Sequence, residues 1–176
     1  IFTLRIGGDV ADVDELQALA EAFDLKVDLK DPQAKAEDAK RLHLTYGLKS
    51  TEFILDEMRA WAGKLGKKLM VILFYADSEI PKFAEDNWRF DPSLVAYVDN
   101  SDVPYVDFLP KHAADLESFN MSAKEYCGRY YVRAAGAAVF GHYSPAGNFF
   151  TAMSIKDDIV NWLDPKPPAY RLLTPV

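Results

Sequence analysis

The 176-residue chain has a single cysteine, Cys127, so no disulfide can close within it, and it contains no Cys-x-x-Cys pair or Cys/His cluster of the kind that holds structural zinc. It is short of basic charge. Twenty Lys and Arg against 27 Asp and Glu leave a formal net charge of -7, whereas nucleic-acid binding relies on clustered cations that track phosphates. The densest basic run, Lys64, Lys67 and Lys68, falls at an expected helix end, where cations are favoured in any case. No nucleic-acid partner is expected. The longest apolar run, Leu69 to Ala76, is far below the roughly 20 residues that cross a bilayer, so no membrane span is expected either. Glycine-rich phosphate loops, dinucleotide fingerprints, EF-hand loops and His-Glu-x-x-His motifs are missing, and the sequence asks for no metal or cofactor.

What is there is enough apolar material to fold. Hydrophobic residues make up 49% of the chain and aromatics 13%, and the length suits one domain. Residues 1–164 are expected to form a single α/β domain, with 165–176 a proline-rich extended tail. Because Ile1 to Ile6 reads as a strand with nothing in front of it, the chain is expected to be a processed product or one piece of a larger protein.

Strand-like and helix-like stretches alternate, the pattern of an α/β fold with a mainly parallel sheet. After Gly7 and Gly8 a helix is expected from about Asp12, with Asp12, Asp14 and Glu15 suited to its N-terminus. Leu25 to Leu29 alternates like a half-buried strand or an extended arm. Residues 33–44 suggest an exposed helix ending near Gly47, followed from Ser50 or Thr51 by a second one. Its apolar positions Ile54, Met58, Trp61 and Leu65 recur at intervals of four, three and four, and Gly66 stops it. A central strand at 69–75 buried on both faces, a loop over 77–92, a helical turn at Leu94 to Val98 and a strand at 103–109 come next. A helix from Lys111 to Phe119 follows, then a capping box of Ser122 and Glu125 opening another through Tyr130. The last helix, from beside Gly147 to Leu163, is apolar on much of its circumference and is expected to be well buried.

Only three histidines are available as a base. His43 sits in a charged helical stretch and reads as a surface residue. His112 follows a strand end, a place where α/β folds put ligands, but beside Lys111 it reads as a surface or capping residue. His142 lies in a short loop before the last helix, between Gly141 and the turn Ser144-Pro145-Ala146-Gly147. A neutral imidazole held there can take a proton from a serine hydroxyl and pass it to a leaving group, or it can be a hydrogen-bonded structural histidine.

The segment from His142 to Asn148 resembles the catalytic-histidine end of SGNH/GDSL-type hydrolases, whose last loop has the form Asp-x-x-His-Pro/Ser-x-x-Gly-His/Asn/Tyr and leads into the final helix. The strands at 69–75 and 103–109 occur in a consistent order. The resemblance implies a flavodoxin-like three-layer sandwich with a mainly parallel sheet, made incomplete by missing upstream strands. It implies hydrolysis of carboxylic esters, including acetyl esters of carbohydrates, with His142 as general base, no cofactor and the nucleophilic serine outside this chain. Another chain or segment would then complete the sheet. Ile6-Gly7-Gly8-Asp9 is similar to the family's Gly-x-Asn-Asp block, which would place Gly8 and Asp9 at the oxyanion or substrate. The position three before His142 is Val139 rather than Asp, so the triad acid comes from elsewhere, with Asp9 and Asp107 as candidates. Asp77-Ser78 has the look of a nucleophile block, but Ala76 stands where that turn needs glycine, and Ser78 reads as a loop or capping serine. The rival reading is a catalytically inactive binding or assembly module on the same scaffold, and a weaker third is a carbohydrate surface of Trp88, Tyr97 and Tyr105.

Overall fold

The computed structural model describes residues 1–134 and 137–164, without the side chains of 133–140. It is a mixed α/β structure dominated by helices, and its described residues divide into two compact units: residues 1–68 with 91–100, and residues 69–90 with those from 101 to 164. The expected proline-rich tail lies outside the described residues.

The first unit holds α1 (Phe2–Arg5), α2 (Val13–Ala22), α3 (Lys35–Lys64) and α5 (Pro92–Asp99). Its core is formed by Leu4, Ala20, Leu29, Ala39 and Leu42. The opening segment is a helical turn, not the expected strand. Only Leu4 is buried in it, while Phe2 and Ile6, which a strand would put on the same face as Leu4, are 68% and 72% exposed. Gly7, at φ +82°, then closes the turn: its N–H donates to the Leu4 carbonyl and that of Gly8 to Thr3, the Schellman pattern. A side chain at Gly8 would sit 2.8 Å from Thr3 Cγ2.

Leu25 to Leu29 is not a sheet strand. In place of a sheet partner, the Gln17 amide accepts from Leu29 N and donates to the Val27 carbonyl. The two helices expected over 33–65 are one. Open space surrounds Gly47, and Thr51 Oγ1 donates to the Gly47 carbonyl instead of capping a new helix, so nothing interrupts the backbone ladder. Gly66, at φ +59°, ends α3 as expected, with Lys67 N donating to Ala62 O and Gly66 N to Gly63 O. The row Ile54, Met58, Trp61 and Leu65 on α3 is exposed rather than buried, with Trp61 65% accessible.

In the second unit β1 (Val71–Leu73) pairs in parallel with β2 (Tyr105–Asp107), and β3 (Tyr131–Ala134) pairs antiparallel with β4 (Ala137–Tyr143). These two short sheets are the only ones among the described residues, fewer parallel strands than a three-layer sandwich requires. The expected loop over 77–92 contains α4 (Glu79–Asp86), because Pro81 falls in the first turn, where its missing N–H costs nothing, and Asn87 at φ +53° ends the helix. α6 (Phe108–Ser118) begins directly after β2. Asp107 caps it by accepting from Leu109 N, and Pro110 is likewise tolerated in the first turn. α7 (Ala123–Tyr130) opens on the expected Ser122/Glu125 capping box. α8 (Pro145–Leu163) starts where expected but is not well buried. Phe150 and Ile155 pack on the core, while Phe149, Met153, Val160 and Leu163 stay exposed.

Candidate functional site

The site is built where α7, β4 and α8 meet. Between the pairs Tyr131–Tyr143 and Arg133–Ala138, β3 has the single residue Val132 and β4 has four, 139–142. This is a large bulge-like irregularity in the register, and such irregularities re-aim side chains. Gly141, at φ +65°, makes the turn inside it. His142 therefore lies in a strand bulge, not in the loop expected for it. Its imidazole is exposed, and no described carboxylate bonds to it.

Immediately downstream the chain is pinned. Ser144 N donates to Tyr130 O at 2.8 Å, Ser144 Oγ donates to Arg129 O at 2.7 Å, and the same oxygen caps α8 by accepting from Gly147 N. Pro145 occupies the first turn. Gly147 is buried so closely that a Cβ there would lie 2.2 Å from the Tyr130 carbonyl oxygen and 2.6 Å from the Tyr143 ring. Only glycine fits.

Along β4 the residue after His142 points inward. Tyr143 Oη lies 2.9 Å from Nε2 of His112, whose Nδ1 is 2.9 Å from Tyr126 Oη. His112 is thus fully buried, a correction to the surface or capping role read for it. Lys111 is the partner that reaches outward, to Ser154 O and Asp158 of α8. Rings of Phe108, Phe150, Tyr130 and Tyr131 enclose the imidazole, with Phe150 nearest at 4.7 Å between centroids. Burial holds its pKa down at about 4.

The phenols around it are shifted the other way. Burial, followed by the bond to Asp115, raises Tyr126 far above the ordinary range and pushes Tyr130 up to about 12. Both hydroxyls donate to the same Asp115 oxygen, at 3.0 and 2.9 Å. Tyr131, also raised chiefly by burial, donates to the Tyr75 carbonyl. The sequence carried a signal for this cluster that the reading of His112 passed over: Phe108, Leu109, His112 and Leu116 share one face of α6.

The other candidates are held elsewhere. Gly8 and Asp9 belong to the first unit and His142 to the second. The Gly7 and Gly8 amides already donate within the α1 turn, and Asp9 pairs with Lys35 at 2.6 Å. Asp107 accepts from Leu109 N and forms an ion pair with Arg89 at 2.7 Å, whose other nitrogen bonds the Tyr75 hydroxyl. Ser78 donates to Glu79, and exposed His43 faces Arg5. The side chain of Val139 lies outside the described residues. Trp88 sits under the Lys82 ammonium and Tyr105 lies on β2, both in the second unit, whereas Tyr97 is in the first, bonded to Asp56. Among the described residues no three His, Cys, Asp or Glu side chains gather as a metal site, and no helix is long and apolar enough to cross a membrane. Comparison with protein-family models, with curated proteins and with solved structures returned no match.

Proposed function

We propose that the second unit carries the histidine half of an SGNH-type ester hydrolase site, with His142 as general base. The observation that carries this reading is the bulge. An exposed imidazole is presented beside Gly141, while the next residues are locked by Ser144 and by the Tyr130–Gly147 contact. Catalytic groups need such a fixed frame, because small misplacements of a reacting atom cost large factors in rate. In the reaction His142 takes the proton of a serine hydroxyl supplied from beyond residues 1–176, and the serine oxygen attacks the ester carbonyl. The imidazolium then protonates the departing alkoxide, and water releases the acid by the same steps in reverse. Carboxylic esters, acetyl esters of carbohydrates among them, are the substrate class. The parallel β1–β2 pair, with α6 leaving directly from β2, belongs in this reading to a flavodoxin-like three-layer sandwich completed by strands from another segment.

The test is turnover of a short-chain aryl ester by the full-length protein. His142→Ala should lower kcat/KM at least about 100-fold, the scale of a lost general base. Undiminished activity in that variant would remove His142 from the chemistry.

A second reading, a catalytically inactive assembly module, is favoured by one specific observation: the exposed row Ile54, Met58, Trp61 and Leu65 on α3, an apolar stripe of the kind that marks interaction surfaces. It predicts no ester turnover in either form and association through that row.

A further inference from the structure

His112 is the one fully buried histidine, and the ester chemistry proposed above makes no direct use of it. Its surroundings allow the protons to be counted. Asp115, a carboxylate that can only accept, receives the hydroxyl protons of Tyr126 and Tyr130. With its one proton committed there, the Tyr126 oxygen can only accept at its contact with His112, so Nδ1 carries the imidazole proton. Nε2 is then left with its lone pair toward Tyr143, and the Tyr143 hydroxyl donates to it across 2.9 Å. Tyr131 does not compete for that lone pair. Its proton has the Tyr75 carbonyl at 3.0 Å, with the Tyr143 oxygen farther at 3.3 Å, and either leaves the Tyr143 proton for Nε2, which is 3.4 Å from the Tyr131 oxygen.

The polarity thus runs one way, from Tyr143 through His112 and Tyr126 to Asp115. It links α6, α7 and β4, running from half-buried Tyr143 through buried His112 and Tyr126 to half-buried Asp115. Such a chain holds a unique arrangement, since breaking a link at His112 or Tyr126 leaves a desolvated polar group without its partner. Its end is the residue next to His142.

We propose that His112 is a positioning residue for His142: by accepting the Tyr143 hydroxyl proton, in the tautomer set by Tyr126 and Asp115, it anchors the strand end from which His142 projects. This rests on the reading of His142 as general base. Neither Tyr143 nor His112 touches the reacting atoms in this arrangement. They act on the chemistry through one peptide link, with the Tyr143 ring pressed on the inner side by Gly147 and the bulge turning His142 outward. The same link explains why the bulge ends at Tyr143, where pairing with Tyr131 resumes.

The experiment uses the full-length protein and three variants: His142→Ala, Tyr143→Phe and His112→Gln. Tyr143→Phe keeps the ring and removes only the hydroxyl, so it remains informative if substitutions at His112 disturb folding. It should lower kcat about 10-fold with KM changed less than about twofold, the signature of a displaced base rather than a lost substrate contact. His112→Gln, whose amide oxygen reaches the Nε2 position, should retain more of kcat than Tyr143→Phe does. Nitrogen-15 NMR of the parent should find the His112 proton on Nδ1, and amide exchange at Ser144 should quicken in Tyr143→Phe.

A proton on Nε2 would overturn the proposal. So would unchanged kcat in Tyr143→Phe while His142→Ala is inactive, an outcome that leaves the base reading standing. If instead His142→Ala is as active as the parent, the base reading falls. The Ser144 exchange rate, which needs no turnover, then decides the anchoring: faster exchange in Tyr143→Phe sustains it, and an unchanged rate overturns it.

Discussion

Tyr143 Oη and His112 Nε2 meet at 2.9 Å inside the second unit, so two adjacent residues of β4 have opposite fates: Tyr143 is tied into the core and His142 stands in solvent. His142 is the last residue of the bulge, and Tyr143 is where pairing with β3 resumes.

Because His112 is buried as a neutral imidazole, acid should destabilise the fold. Its pKa is about 4 in the folded state and ordinary, near 6.5, when unfolded, so the unfolded chain binds the proton first as pH falls. The stabilisation is complete above pH 6.5, is lost progressively between 6.5 and 4, and changes no further below that. The groups facing the imidazole are Tyr126 and Tyr130 from α7, Tyr131 from β3 and Tyr143 from β4, with Asp115 reached only through hydroxyls. The loss at pH 5 should be about 2 kcal/mol. Urea unfolding at pH 7 and pH 5 checks it, with His112→Gln expected to show the smaller difference.

Gly147→Ala should destabilise by about 3 kcal/mol or more, since its methyl would fall 2.2 Å from a backbone carbonyl that cannot rotate away. Gly8→Ala should cost less, because the first atom met, Thr3 Cγ2, belongs to a side chain. Thermal unfolding of the two variants ranks them. Equal and small losses would show that the α7–α8 approach is looser than described.

Asp107→Ala removes the cap of α6 and one hydrogen-bonded ion-pair partner of Arg89, whose side chain is mostly buried and which keeps its bond to the Tyr75 hydroxyl. The expected loss is about 2 kcal/mol, a lost cap together with one charged hydrogen bond. Asp107→Asn keeps a capping oxygen and should lose about half as much. Chemical denaturation of both separates the cap from the ion pair.

Trp61 is exposed, so Trp61→Glu should alter unfolding stability by no more than about 0.5 kcal/mol. If the α3 row mediates assembly, sedimentation velocity should show concentration-dependent association of the parent that this variant lacks. Identical behaviour of the two would end the assembly reading.

Local signals were the legible part of this fold. Ser122 and Glu125 marked the start of α7, Gly66 marked the end of α3, and Ser144-Pro145 opens α8, because each device acts within one turn of backbone. Where two local signals competed, neighbours decided. Ile1 to Ile6 alternates like a strand, yet with only Leu4 buried it winds into a turn closed by Gly7. Gly47 offered a helix stop, and with open space around it the longer ladder simply continued.

For the candidate site, the order Gly141, His142, Tyr143, Ser144 through Gly147 was written in the chain, and the Ser144 N-cap follows from local chemistry alone, whereas the need for Gly147 comes from its approach to Tyr130. That His142 stands in a bulge depends on how β4 registers with β3. That His112 is the buried histidine depends on four tyrosines brought from α7, β3 and β4, between 14 and 31 residues away in sequence, a desolvated environment that no local spacing specifies. Sequence by itself determined which residues bend, cap and close the helices, since those energies are local. Tertiary structure alone decided which histidine is dry and which is wet, because desolvation is a property of everything packed around a group.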